Sequence, residues 1–211
     1  MSTLHDSIGH SMRPAPRPET MPKASDLRFD VMRNGSRIGK HEIRFRREGC
    51  ALLVNVNLEV VVGLGPIAMF RFTHRVIENW EDGCFVSLES KTNDNGKRYQ
   101  VTASRTADNV IVEASPTARA VLPPETIPLT HWNSLCLERP LFSPQDGIPI
   151  ALRFQSHHEE IVSLAGGRKV RATRYSLIVK PVLYNWYDSA RVWTALCTEG
   201  RDGSTIQYRR A

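Results

Sequence analysis

From Leu27 onward, apolar and polar residues alternate in short runs broken by tight-turn signals, the period-2 pattern of strands with one buried face. The clearest run places Leu52, Val54, Val56, Leu58, Val60 and Val62 on one side, with Leu53, Asn55, Asn57 and Glu59 on the other. Before it, Arg28 to Met32 and Ile38 to Arg46 flank Asn34-Gly35, a strong hairpin signal. Gly39 interrupts the second of these and predicts a bulge or a close backbone approach. After the Gly63-Leu64-Gly65-Pro66 turn, Ala68, Phe70, Phe72, His74 and Val76 share a face, with Glu78 beyond. Trp80-Glu81-Asp82-Gly83 turns into Cys84, Val86 and Leu88, and Asn93-Asp94-Asn95-Gly96 into Tyr99, Val101 and Ala103; Val110 and Val112 follow.

One stretch departs from the pattern. Leu129 to Leu137 lies between Pro123-Pro124-x3-Pro128 and Pro140-x3-Pro144, and predicts a short helix with Thr130 as N-cap. Strands then resume. Ile148, Ile150, Leu152 and Phe154 share a face; Ile161 to Leu164 and Val170 to Val179 flank Gly166-Gly167; Tyr184 to Asp188 leads to Arg191 to Thr198, and Gly200 to Gly203 turns into Ser204 to Tyr208. About ten or eleven strands with almost no helix predict a mainly β fold: one antiparallel sheet curled into a barrel, half-barrel or sandwich, with one helical plug. The missing crossover helices disfavour a parallel sheet. Residues 26–211 are expected to form a single domain, and the polar, proline-bearing stretch 1–25 a disordered arm.

Composition narrows the function classes. The 211 residues carry a formal net charge of +6, but the basic residues stand in small groups interrupted by acids. Arg44 and Arg46 fall opposite Ile43 and Phe45, as on a solvated outer face, so nucleic acid is not the expected partner. No apolar run approaches the ~18 residues of a membrane-spanning helix, and no secretory signal is visible. The expected compartment is the cytoplasm, or the periplasm or exterior if the true start differs. Cys50, Cys84, Cys136 and Cys197 form no C-x-x-C pair; Cys84 and Cys197 read as inward strand positions, and core thiols are expected.

The order Asn34-Gly35 with Ile38-Gly39, Trp80 to Gly83, His131-Trp132-Asn133, Trp186-Tyr187-Asp188 and Asp202-Gly203-Ser204-x-Ile206-x-Tyr208 resembles a family of uncharacterised, often exported bacterial β-rich proteins. It is also distantly similar to the curled sheets of the lipoprotein-carrier (LolA/LolB-like) type. That resemblance covers about residues 26 to 210, and implies an apolar concavity.

Candidate chemistry concentrates in few places. His131, Trp132 and Asn133 supply an imidazole, an indole and an amide, fit for proton transfer and ligand contact, or for a plug filling the sheet's open side. His74 on an apolar face is a ligand contact or a core histidine, with Glu78 two positions along. His157-His158-Glu159-Glu160 has metal-ligand residue types, but neighbours on a strand point apart, so no metal site is expected. Trp186, Tyr187, Asp188 and Trp193 could line a site or pair across strands. No nucleophile elbow, zincin helix or dinucleotide fingerprint occurs, and no cofactor is implied.

Three functions compete. The first is a binding protein whose concave face, lined by Phe70, Phe72, His74, Tyr99, His131, Trp132, Asn133 and Trp193, holds an apolar or amphipathic small molecule. The second is an enzyme on such a molecule, with His131 as acid/base and His74 or Asp188 as partner. The third is a filled-core interaction domain that self-associates through sheet edges.

Overall fold

The computed structural model describes residues 26–64, 67–151, 153–178 and 180–211. The expected arm 1–25, Leu152, Val179 and the Gly65-Pro66 turn lie outside them. The N-terminal meander comprises β1 (Leu27–Arg33), β2 (Ser36–Glu48), β3 (Ala51–Leu64), β4 (Ile67–Glu81), β5 (Cys84–Asp94), β6 (Lys97–Arg105), β7 (Val110–Ser115) and β8 (Ala120–Leu122). A second meander follows: β12 (Phe154–Ser163), β13 (Lys169–Leu177), β14 (Leu183–Tyr187), β15 (Trp193–Glu199) and β16 (Thr205–Arg210). These are not separate sheets. Strand β16 pairs antiparallel with β1, placing Arg210 opposite Phe29 and Tyr208 opposite Val31, so the two meanders make one 13-stranded sheet with β12 and β8 at its edges.

The sheet is not closed, and it has 13 strands against the expected ten or so; the alternation does not mark β8, which leads into the stretch 123–150. There β9 (Ile127–Pro128), β10 (Leu141–Phe142) and β11 (Pro149–Ile150) form a small separate sheet. Ile127, Leu141 and Phe142 are buried with Trp132, Phe29, Ile43 and Trp193 in one core cluster. The proline-framed segment therefore lies against the large sheet and contributes to its core.

Several expectations are corrected here. The helix predicted over Leu129 to Leu137 is a single 3-10 turn, Ser134–Leu137, and its N-cap is Asn133 rather than Thr130: the Asn133 side chain accepts from the Leu135 N–H at 3.0 Å. His131 has φ +53°, and the Trp132 N–H donates to Thr130 O, so the chain makes a γ-turn where a helix would have begun. A bulge opposite Asn79 and Trp80 shifts the parity of β5: Phe85, not Cys84 or Val86, enters the core and meets Trp80 edge-on at 5.5 Å. In β15, Leu196 faces inward and Cys197 is half-exposed opposite Gln207. Ile148 is exposed, because the expected strand through Phe154 is split between β11 and β12.

Other features fold as the pattern predicts. Leu52, Val54, Val56, Leu58 and Val60 are buried in β3. The Asn34-Gly35 turn has positive φ at both residues, as a type I′ hairpin requires. Gly39 provides the expected close approach: a Cβ there would lie 2.1 Å from the Glu59 carbonyl oxygen, beside a β1/β2 bulge. Gly39→Ala should therefore cost about 3 kcal/mol by forcing β2 and β3 apart. Urea midpoints measure this, and a loss below about 0.5 kcal/mol would show that the strands separate there without penalty.

Candidate functional site

Two adjoining chambers open on the concave face. The outer one, about 520 Å³, has apolar walls from Val31 of β1, Ile38 of β2, Val60 and Val62 of β3 and Phe70 of β4. Alternation puts Val31, Val60, Val62 and Phe70 on one side of adjacent strands, while Ile38, out of step with His41 and Ile43, joins them at the β1/β2 bulge. Charge is confined to the mouth. Arg33 pairs with Asp202, and Arg201 reaches Asp94 at 2.8 Å. The Ser204 hydroxyl, then Arg33, hold the Asp202 carboxyl well below its usual range. Glu199 also lines the mouth.

The inner chamber, about 280 Å³, shares Phe72, Gln145, Thr198, Ile206 and Tyr208 with the outer one, so the two adjoin across these side chains. Three histidines from separate parts of the chain meet on its walls: His41, His74 and His131. His41 follows the inward parity of Ile43 on β2 and pairs with Leu58 in register. Its ring lies 5.4 Å from Trp193 and 5.6 Å from Tyr208, and neither of its nitrogens has a hydrogen-bond partner. Burial, with His131 and His74 nearby, lowers its pKa to about 3.

His74 is held differently. Its Nδ1 lies 2.8 Å from Thr92 Oγ1, and that hydroxyl lies 3.3 Å from the Gln145 carbonyl. A carbonyl can only accept, so both bonds form together only if Thr92 donates to Gln145 and accepts from His74. The proton of neutral His74 is then on Nδ1, and Nε2 is a bare acceptor. Burial lowers its pKa to about 4. His131 has the same value and cause. Its ring stacks on Trp193 at 5.2 Å, its Nδ1 lacks a partner, and its carbonyl accepts from Tyr187 Oη at 2.7 Å. A histidine in a left-handed γ-turn, held by an outside hydroxyl, is the kind of local strain that concentrates at functional sites.

Below the chambers is a polar knot in the core. Glu78, fully buried, accepts from the Trp80 indole N–H at 2.8 Å and from Trp132 at 3.2 Å. Burial raises its pKa to about 7 against the pull of these donors. Glu78 and His74 share a face of β4 without pairing.

Of the expected ligand contacts, Phe70, Phe72, His74 and His131 line the chambers. Trp132 and Trp193 are 1% and 0% exposed and line neither; Trp193 donates to Asn185 Oδ1. Asn133 is spent on capping, and half-buried Tyr99 lies under the Lys97 ammonium at 5.0 Å. Asp188 accepts from the Ala190 and Val192 N–H groups and faces Arg210 at 3.7 Å, holding a turn. No hydrogen bond or ion pair joins His131 to a carboxylate among the described residues. His157 bonds Ser176 Oγ, and no metal-binding cluster is found among the described residues. Sequence reasoning missed His41, although its parity with Ile43 was visible, and also Ile206 and Tyr208, whose place depends on the β1–β16 pairing.

Comparison with known proteins bears on the fold. A family model described as "Domain of unknown function (DUF6134)" matches residues 29–211. No curated protein matches the chain. A crystal structure from Brucella abortus, titled as a beta-barrel-like protein of domain of unknown function DUF1849, is similar with a TM-score of 0.60 at 9% identity, covering 88% of this chain and 94% of that one. At that identity the likeness concerns the fold alone. None of the described helices is long and apolar enough to cross a membrane.

Proposed function

The chain belongs to the DUF6134 family, and from that premise and its cavity we propose that it is a binding protein, holding an apolar or amphipathic, lipid-like small molecule on the concave face of its sheet. The observation that carries this is the apolar trough of about 520 Å³ adjoining the histidine chamber. That volume lies within the roughly 300–1,000 Å³ of small-molecule sites, with few polar groups on mostly apolar walls. The resemblance to lipoprotein carriers, read in the motif order, agrees with such a concavity. The catalytic alternative needs a histidine oriented by a carboxylate, and the paired carboxylates near the chambers are engaged elsewhere, with Arg33, Arg201 or the indoles. Self-association through edges would use β8, three residues long, or β12, which is bulged between Ser156 and Glu159; both features oppose edge pairing.

Phe72 lies where the two chambers join. Phe72→Arg should abolish saturable binding of an environment-sensitive apolar dye by replacing an apolar wall at the junction with a long charged side chain. Native mass spectrometry of gently purified protein, beside a dye titration, tests the reading. Absence of both a bound species and saturable dye binding in folded wild-type protein would overturn it.

A further inference from the structure

The two chambers differ in kind. Every charged side chain that lines the trough belongs to the outer mouth: Arg33, Asp94, Glu199, Arg201 and Asp202. The inner chamber is lined by no Lys, Arg, Asp or Glu among the described residues, yet it is not apolar, since three imidazoles face one small space. An ionised group placed there would lose its water without gaining a counter-ion, at a cost of several kcal/mol. A plain hydrocarbon end would leave the polar ring atoms dehydrated and unanswered. The His41 nitrogens and His131 Nδ1 lack partners and are buried within its walls, so the walls there are polar without being hydrogen-bonded by the protein.

The hydrogen-bond chain from His74 through Thr92 to Gln145 sharpens this. It assigns the imidazole proton to Nδ1 and presents Nε2 as an acceptor, which asks for a donor on the ligand. Resting on the binding reading above, we infer that the ligand enters polar end first, and that this end is an uncharged O–H on an apolar chain, an alcohol or an undissociated carboxylic acid, donating to Nε2 of His74. The chain then fills the outer trough past Phe72 and Phe70. The low pKa values of the three histidines, about 3 for His41 and about 4 for the others, agree with a chamber that stays neutral.

The test is displacement of a trough-bound apolar dye by decan-1-ol and by decyl methyl ether, which keeps the oxygen and loses the donor. The alcohol should bind about tenfold more tightly, the worth of one hydrogen bond. In His74→Phe that gap should close with the ether unchanged. If the variant does not fold, the comparison in wild-type protein decides alone. Decanoic acid separates the two sources. From pH 5.5 to 8 its affinity should fall about tenfold per unit above the acid's own pKa, while that of decanol stays level. The titratable groups on the chamber walls are His41, His74, His131 and Tyr208, and all keep one protonation state over that range, burial having pushed the Tyr208 phenol up. Equal binding of alcohol and ether, or decanoate binding undiminished at pH 8, overturns the inference and leaves the binding reading intact. Absence of saturable dye binding overturns both.

Discussion

Trp132→Ala should lower the stability of the protein by about 3–5 kcal/mol, among the largest losses expected from a single side chain. The indole is 1% exposed, packed edge-on against Trp80 at 5.4 Å and Phe45 at 5.3 Å. Its removal opens a void where the proline-framed segment meets the large sheet, and it takes from buried Glu78 one of its two indole donors. The second loss adds to the first, because a buried carboxyl with fewer donors is poorer in either protonation state. Trp132→Phe should fall between, restoring bulk without the N–H. Chemical denaturation measures both. A midpoint that barely moves while dye affinity collapses would make Trp132 a ligand contact rather than the anchor of the segment.

Acid should destabilise the fold steeply, starting at a pH where most carboxylates are still ionised. The three chamber histidines have folded pKa values of about 3 to 4, below the ordinary 6.5, so as pH falls under 6.5 the unfolded chain takes up three protons that the folded chain refuses. Their contribution is present above 6.5 and is lost on acidification. Glu78 works in the opposite sense. Its folded pKa, about 7 instead of 4.5, means that its contribution is complete below 4.5 and disappears as pH rises through 7. Between pH 4.5 and 6.5 the balance is two protons bound on unfolding. That is a slope of about 2.7 kcal/mol per pH unit, enough over two units to exhaust a typical domain's stability. Stability should therefore rise to about pH 7.5 and then level off, the loss from Glu78 cancelling most of the histidine gain above pH 6.5. Glu78→Gln should steepen the acid limb to about three protons, and His41→Phe should reduce it to about one. Thermal midpoints across pH 4.5 to 8 give the slopes directly, and a flat profile would show that the histidines are protonated in the fold.

Parity made much of this architecture readable. In β3 each inward position is a Val or Leu and the strand has no bulge before Val62, so composition alone sets the buried face. Phe70, Phe72 and His74 were identifiable as concave-face residues in the same way. Bulges defeated the method. The extra residue near Trp80 leaves no mark in composition, yet it moves Phe85 in and Val86 out. Proline framing located the central segment but not its form, since the γ-turn at His131 depends on Tyr187 from a distant strand. The histidine chamber could not be read at all as a unit. His41, His74 and His131 are brought together by long-range pairings, and a residue pattern of period two carries no information on which strands will be neighbours.

The pairing of β16 with β1 also has a consequence for the order of events during synthesis. Every other junction in the large sheet is a hairpin or short meander step that can zip as soon as it is made, but β1 waits for a partner some 175 residues later, Phe29 for Arg210 and Val31 for Tyr208. Until β16 emerges, β1 and β15 both present unpaired backbone, and the wall that carries Ile206 and Tyr208 does not exist. A premature stop that removes only residues 205–211 would thus not shorten a tail. It would part the sheet along an interior seam, lay the trough open along its length, and leave a nascent chain with two sticky edges for quality control to find.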